Sequence, residues 1–219
     1  MKKTLLLLCV LAVCNLSLVA QSKRHSRAVH VKEKSAIHVA PQEAPAGLKT
    51  IYTNLGPKGD LYLDSDGWEL SGFNSFGGES NAFEVAMPFT PKSNAHVSQV
   101  RAAVQYLGSG ANQINLSLYS DAGGVPGTLL AGPVTVTNLT DSGTCCTLVD
   151  ASFTPVAVSA GTRYWVVANT PASGQGSDFV GVWDWVSKII LFGGSNGVDG
   201  WQGINVDGLP AGAVLGTIP

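Results

Sequence analysis

The feature that most constrains the fold is an alternation of apolar and polar residues in the middle of the chain. In HVSQVRAAVQYL, residues 96–107, the even positions are mainly apolar, whereas the odd positions include Gln99, Arg101 and Gln105. NQINLSLYS, residues 112–120, repeats the pattern. Successive side chains of a β-strand point to opposite faces, so both stretches predict half-buried strands whose apolar face points inward.

The chain after residue 48 is typical of short strands throughout. No stretch there has a sustained period of 3.6 residues, and the 26 glycines of the chain suit tight turns and bulges. Further runs rich in Val, Thr and aromatic residues lie near residues 49–54, 59–63, 67–72, 82–90, 145–153, 163–170, 178–186 and 213–217. About ten antiparallel strands predict an all-β fold, a two-sheet, jelly-roll-like sandwich over residues 48–219.

The first twenty residues have the layout of a secretory signal peptide. Two lysines precede an apolar run from Leu5 to Val13, and Ala20 supplies a small residue for cleavage. The run is too short to span a bilayer, and no later run is long enough. We therefore predict cleavage of residues 1–20, a secreted or cell-surface location and no transmembrane segment, with a lipoprotein signal at Cys14 as the alternative.

Charge separates the rest of the chain into two parts. Residues 21–47 carry five basic residues against two glutamates and have too few apolar residues to form a core, which predicts a flexible, disordered, basic linker. From Leu48 onward six basic residues face thirteen acidic ones, a net charge of −7. A domain with that charge repels polyanions, so nucleic acid is not expected as a partner.

The stretch LSLYSDAGGVPGTLL, residues 116–130, has the most site-like appearance, but it predicts a hairpin turn. Asp121 can cap the turn through the backbone, and Gly123 and Gly124 accept positive φ. A phosphate cradle would need a helix after the glycines, and none is predicted. Calcium would need several oxygen ligands, whereas Asp121 is the only carboxylate of the stretch.

Five motifs follow one another in an order that resembles a family of secreted bacterial domains. They are AMPFTP at 86–91, LSLYSDAGGVPGTLL at 116–130, CCTLV at 145–149, AGTRYWVV at 160–167 and AGAVLGT at 211–217. The family is the choice-of-anchor type, whose members pair one β-sandwich with differing C-terminal sorting signals. The resemblance covers about residues 50 to 218. It implies a secreted, non-enzymatic domain and supplies no catalytic residues.

The domain contains few residues suited to catalysis. His96 is its only histidine, and no motif for a serine or cysteine nucleophile or for hydrolytic zinc is present. A carboxylate pair from distant strands stays open, with Glu69 and Glu84 expected within strands. Asp64 and Asp66 have calcium-loop spacing, but the last acidic position of an EF-hand loop holds a serine. We predict no enzyme and no cofactor, with a looser calcium site as the open alternative.

Cys145 and Cys146 are the only cysteines that remain after removal of the signal peptide. Neighbouring Cα atoms lie about 3.8 Å apart, below the usual disulfide range, so a bridge between them is strained. Export to an oxidising compartment nevertheless favours a vicinal disulfide over two buried or intermolecular thiols. Mass spectrometry of the non-reduced mature protein should show the loss of two hydrogen atoms, and two free thiols would contradict the prediction.

Aromatic residues in the last third are the strongest indication of a ligand site. Trp183 and Trp185 share one face of a predicted strand, and Trp201 follows a glycine-rich loop that contains Asp199. Tryptophan rings that stack on sugar C–H faces, beside carboxylates and amides that bind hydroxyls, are typical of carbohydrate sites. We predict a site formed by these four residues. The alternative places Trp183 and Trp185 in the core, because valines make the other strand face apolar too.

These observations predict an exported, non-enzymatic β-sandwich module for binding or surface interaction, with a glycan or cell-surface polymer as its partner. Two alternatives stay open, an exported glycan hydrolase and a structural component of the extracellular matrix. Two carboxylates about 5–10 Å apart beside an aromatic floor would favour the hydrolase. A domain without a concave aromatic site would favour the matrix component.

Overall fold

The computed structural model describes residues 26–30, 36–37, 43–56, 62–75, 82–142, 148–195 and 197–219. The predicted signal peptide, residues 1–20, lies outside these ranges, and so do Cys145 and Cys146. The described residues form β-strands and no α-helix, and they contain no helix that could cross a membrane.

Fourteen strands follow one another along the described chain. They are β1 (Ala28–His30), β2 (Ala36–Ile37), β3 (Lys49–Thr53), β4 (Tyr62–Ser71), β5 (Glu84–Phe89), β6 (Ala95–Ala102), β7 (Val104–Ser109), β8 (Gln113–Asp121), β9 (Pro126–Thr137), β10 (Val149–Val158), β11 (Tyr164–Asn169), β12 (Val180–Ser195), β13 (Trp201–Pro210) and β14 (Gly212–Thr217). All of their strand pairings are antiparallel.

The strands form two sheets. The main order in the ten-stranded sheet is β1-β4-β12-β5-β11-β8-β9, with β2 paired to β4 and with β7 and β13 paired to β12. The four-stranded sheet has the order β10-β6-β14-β3. The predicted all-β, antiparallel fold is therefore confirmed.

The strand boundaries differ from the sequence prediction in several places. The predicted runs 59–63 and 67–72 contribute to one strand, β4, and the run 178–186 extends to Ser195 in β12. The sequence pattern does not predict β13, because its sequence, WQGINVDGLP, is interrupted by glycines and polar residues. Pairing with β12 supplies the hydrogen bonds that hold it as a strand.

Apolar side chains from both sheets enclose one core. Val100 of β6 in the smaller sheet and Leu116 of β8 in the larger sheet are both fully buried in it. Tyr52 of β3 and Phe89 of β5 join the sheets, with ring centroids 5.9 Å apart. Burying one large apolar side chain contributes about 1.5–3 kcal/mol, so this shared core is the main source of stability.

The alternation over residues 96–107 is interrupted twice, which corrects the prediction of one regular strand. At Ala103 the chain leaves β6 in the smaller sheet and enters β7 in the larger sheet. A bulge at Ser98 shifts the register, so that Val97 and Val100 are both buried. A bulge inserts one unpaired residue and reverses the alternation beyond it.

The polar face of β6 is covered as well. Arg101 is only 5 % exposed, and its Nε donates to Oδ1 of Asp150 on β10 at 2.9 Å. Its Nη2 donates to the carbonyl oxygen of Glu43 at 3.2 Å. The guanidinium therefore connects β6 and β10 with the segment that precedes β3.

The described part of residues 21–47 adds two short strands to the larger sheet. β1 and β2 both pair with β4. The Nε atom of Arg27 lies 3.3 Å from Oε2 of Glu69, and the amide of Glu69 donates to the carbonyl oxygen of Arg27 at 2.8 Å. The linker prediction assigned no strand here, because strands of two or three residues are too short to show periodicity.

Replacing Glu69 with glutamine should remove a component of stability that decreases as pH rises. Burial raises the pKa of Glu69 above its ordinary value of 4.5, and the nearby Arg27 charge opposes this only in part. The folded state therefore holds the proton more tightly than the unfolded state. The resulting stabilisation is complete below pH 4.5 and is lost as pH rises through the folded pKa.

Thermal unfolding of the wild type and of Glu69→Gln between about pH 4 and pH 7 tests this expectation, because this range spans the titration of a carboxyl group with a raised pKa. The difference in unfolding free energy should shift in favour of the variant as pH rises. A shift in favour of the wild type would contradict the raised pKa. Arg27→Met serves as the control, because loss of that charge should raise the pKa of Glu69 further.

Candidate functional site

The structure places Trp183 and Trp185 in the core, which corrects their assignment to an exposed ligand site. Trp183 is fully buried, and its Nε1 donates to the carbonyl oxygen of Ala211 at 2.8 Å. Trp185 is 8 % exposed, and its ring centroid lies 4.8 Å from that of Trp68. Trp183 is buried because β12 lies between β4 and β7. The residue is paired on both sides, and its side chain faces the other sheet.

Trp201 lies on the opposite face of the larger sheet. It begins β13, is partly exposed, and packs against a small buried cluster formed by Ala86, Trp165 and Val167. Asp199 is exposed in the turn that precedes Trp201. The three predicted tryptophans therefore do not form one surface, and only Trp201 remains available to a ligand.

A second aromatic residue shares the cluster with Trp201. Tyr119 of β8 is partly exposed and packs on the same three buried side chains. Leu116 and Leu118 of β8 face the core, so the alternation of the strand directs Tyr119 outward. We use the name outer-face patch for the surface that contains these two aromatic residues and a row of polar residues on the same face. The row consists of Ser195, Glu84, Asn169, Asn115 and Thr135.

A row of polar side chains completes the outer-face patch. Ser195 of β12 pairs with Trp201 on one side and with Glu84 of β5 on the other. Nδ2 of Asn169 on β11 donates to Oε1 of Glu84 at 3.3 Å. Asn169 pairs in turn with Asn115 of β8. The carboxylate and the two amides are partly exposed, and the carboxylate of Glu84 is near enough to Tyr119 for its charge to act on the phenol.

The row ends on β9. There Oγ1 of Thr135 donates to Oδ1 of Asn115 at 2.9 Å. Thr135 is exposed, so its hydroxyl can accept a hydrogen bond from a ligand while it donates to the amide. The polar row thus spans the strands from β13 to β9, with the buried Ser195 between Trp201 and Glu84.

The negative charge of Glu84 interacts electrostatically with the phenol of Tyr119. Burial raises the pKa of Tyr119, and the Coulomb interaction with Glu84 raises it further. The phenol therefore stays protonated well above neutral pH and keeps its hydroxyl group available as a donor. A neutral donor beside a carboxylate acceptor suits a ligand rich in hydroxyl groups.

The Asp-Ala-Gly-Gly stretch supports the outer-face patch instead of forming a site of its own. It is the turn between β8 and β9, with φ of 71° at Gly123 and 96° at Gly124, and the Gly124 amide donates to Oδ2 of Asp121 at 3.2 Å. Oδ1 of Asp121 accepts a 2.8 Å hydrogen bond from Nε1 of Trp165. Asp121 therefore fixes the turn and the largest side chain beneath the patch.

Because Gly193 has no side chain, the ring of Trp201 can lie against its backbone. A Cβ atom at Gly193 would lie 3.3 Å from Cε3 of Trp201 and 3.1 Å from Cδ of Pro126. Because Pro126 begins β9, this contact shows that the end of the β8–β9 hairpin crosses the outer face of the sheet. The hairpin end covers the buried cluster and leaves the polar row at its side.

One pair of carboxylates meets part of the geometric criterion for a glycan hydrolase. Glu69 pairs with Val182 and Asp184 with Gly67, so the two carboxylates are diagonal neighbours on β4 and β12, about 7–8 Å apart between backbones. They are 3 % and 0 % exposed. The aromatic Trp183 faces away from them. A buried pair without an aromatic floor does not support hydrolysis of a polymer.

A cavity of about 370 Å³ lies between β9 and β10, which are edge strands of the two sheets. Leu130 is 37 % exposed there, and Phe153 is the only aromatic side chain of the lining. None of the lining side chains is charged, and they are Leu130, Ala131, Gly132, Val134, Ser152, Phe153, Thr154, Pro155 and Val156. The cavity offers a sugar fewer partners than the outer-face patch does.

Asp66 does not lie in the calcium loop that the sequence suggested. Within the described ranges, no three His, Cys, Asp or Glu side chains come together as metal ligands. Asp66 lies inside β4 and not in a loop, and the side chain of Asp64 is outside the described residues. The Leu-Asp-Ser-Asp-Gly-Trp stretch is part of a strand, because β12 and the short strands β1 and β2 pair with it.

The sequence analysis did not select Tyr119, Asn169 or Asn115, and it considered Glu84 only as a candidate for a carboxylate pair. The alternation of β8 could have indicated that Tyr119 and Asn115 share the outer face. The pairing of β5 with both β11 and β12 brings Glu84 into the row, and that pairing of distant segments leaves no signal in the residue pattern.

Comparisons with known proteins found no matching family model, no matching curated protein and no matching solved structure. The resemblance to the choice-of-anchor family therefore stays a prediction.

Proposed function

We propose that the protein is an exported, non-enzymatic binding module whose outer-face patch holds a carbohydrate chain of a glycan or cell-surface polymer. The observation that carries the proposal is the partly exposed Trp201 in register with the Glu84–Asn169 hydrogen-bonded pair, on the same face of the sheet and two strands from Glu84. The secretory layout of residues 1–20 supports an extracellular partner.

The chemistry of the patch fits a sugar. An indole ring stacks on the apolar C–H face of a pyranose, and carboxylate and amide groups bind the hydroxyls at its edge. Trp201 and Tyr119 supply the rings, and the polar row supplies donors and acceptors. The buried cluster beneath them keeps the rings in place before a ligand arrives, which lowers the entropic cost of binding.

Replacing Trp201 with alanine should weaken glycan binding by about 10- to 100-fold, because a central stacking aromatic contributes about 1–3 kcal/mol. A glycan array identifies the sugars that bind, and isothermal titration calorimetry measures the affinity of each variant. Gln202→Ala is the matched control, since Gln202 is the exposed neighbour of Trp201 on the other strand face. Its affinity should equal that of the wild type.

Three outcomes would overturn the proposal. Equal binding by the wild type and Trp201→Ala would place the site elsewhere on the domain. If no glycan binds to the folded protein, with or without added calcium, the carbohydrate proposal fails and the matrix component becomes the better account. Release of reducing sugar from a bound glycan would instead favour the hydrolase.

A further inference from the structure

The length and the charge of the polar row indicate what length and charge a bound glycan should have. Trp201, Ser195, Glu84, Asn169, Asn115 and Thr135 lie on six successive strands, β13, β12, β5, β11, β8 and β9. Neighbouring strands lie about 4.8 Å apart, so the backbones of the two end residues are roughly 24 Å apart. A single sugar ring contacts only a small part of such a row.

The polar row also has a defined orientation on the sheet. It runs across the strands, with the β8–β9 hairpin end over the buried cluster at its side and Trp201 at one end. Among the exposed and partly exposed members, the Glu84 carboxylate can only accept, whereas the amides of Asn169 and Asn115 and the hydroxyl of Thr135 can both donate and accept. An extended chain laid along the row presents successive hydroxyl groups to successive side chains.

The charge of the row excludes acidic chains. Glu84 is its only ionisable side chain, and neither lysine nor arginine belongs to it. Arg163 is on the far side of the buried cluster, where its Nη1 lies 4.0 Å from Oδ1 of Asp121. A uronate or sulfate group on the chain would approach Glu84 without a compensating cation, which costs binding energy.

We infer that the outer-face patch binds a linear, uncharged oligosaccharide of several units that lies across the strands. The inference rests on the proposed function and adds two properties to it, a minimum length and the absence of negative charge. Both properties are measurable without knowledge of the natural partner.

The test uses calorimetry with β-1,4-linked and β-1,3-linked glucose oligomers of one to six units, and with oligogalacturonates of the same lengths. Affinity for one of the glucose series should rise by at least about tenfold between one and four units, as further side chains become engaged. Oligogalacturonates should bind more weakly than that series at every length, and Glu84→Gln should reduce the difference.

Thr135→Val is the variant that tests the far end of the row. It removes one hydroxyl and keeps the shape of the side chain at an exposed strand position. The affinity of the hexamer should fall by at least about threefold, while the affinity of the dimer stays unchanged, because one lost hydrogen bond costs about 0.5–1.5 kcal/mol.

The outcomes separate this inference from the proposed function. If a glucose monomer binds as tightly as the hexamer, or if oligogalacturonate binds more tightly than the glucose series, the inference is wrong, whereas a loss of binding in Trp201→Ala would still support a carbohydrate site. If no oligomer binds and Trp201→Ala behaves like the wild type on the array, both the inference and the proposed function are wrong.

Discussion

Trp183→Ala is expected to lower the free energy of unfolding by about 3–5 kcal/mol. The indole is fully buried between the two sheets, and its removal leaves a large cavity that strands on both sides hold open. The substitution also leaves the carbonyl oxygen of Ala211 without the 2.8 Å hydrogen bond from the indole. A domain with a total stability of about 5–15 kcal/mol loses a large part of it through such a change.

Chemical denaturation monitored by circular dichroism measures the effect, with Trp201→Ala as the matched control. Trp201 is partly exposed, so the control should lose only about 1 kcal/mol of stability. A similar loss in both variants would contradict the assignment of one tryptophan to the core and the other to the surface. The control also establishes that Trp201→Ala is folded in the binding experiments.

After Trp183→Ala, Gly110→Ala should cause the second-largest loss of stability, because the added methyl group would collide with the backbone of Asp178. A Cβ atom at Gly110 would lie 1.9 Å from the carbonyl oxygen of Asp178, and the residue has φ of 77°. Gly108, two residues earlier in β7, has φ of 79° but no atom within 4 Å of its would-be Cβ. Alanine at Gly108 therefore reports the cost of positive φ alone, about 1–2 kcal/mol.

The difference in unfolding free energy between Gly110→Ala and Gly108→Ala measures the effect of the close approach between Gly110 and the backbone of Asp178. We expect Gly110→Ala to be less stable than Gly108→Ala by about 1–3 kcal/mol, the usual cost of forcing an extra group into a packed region. Denaturation midpoints of the two variants provide the comparison. Equal midpoints would show that Gly110 does not lie against Asp178 in solution.

The fold class follows from the residue pattern, because alternation depends only on the local geometry of a strand. The run from Ile114 to Leu118 is apolar on one side, and the structure buries that side in the core. The break at Ala103 does not follow, because only the partner strands show that the chain changes sheets there. Alternation therefore predicts that a segment is a strand and does not predict its neighbours.

The candidate site was harder to predict for the same reason. Trp183 and Trp185 share one face, as the alternation indicates, but valines on the other face made either direction equally apolar. The pairing of β12 with β4 and β7 decides which face meets the core. Trp201 belongs to a strand interrupted by glycines, and the buried side chains beneath it, Ala86, Trp165 and Val167, come from segments more than thirty residues away.

Tryptophan fluorescence during titration with an oligosaccharide that binds on the array tests the central claim most directly. Of the five tryptophans, Trp68, Trp165, Trp183 and Trp185 are at most 8 % exposed, so a ligand on the outer-face patch should change the emission of Trp201 alone. In Trp201→Phe, which keeps an aromatic ring for stacking, calorimetry should still detect binding while the fluorescence change disappears. An unchanged fluorescence response in Trp201→Phe would show that the ligand binds elsewhere and would contradict the account.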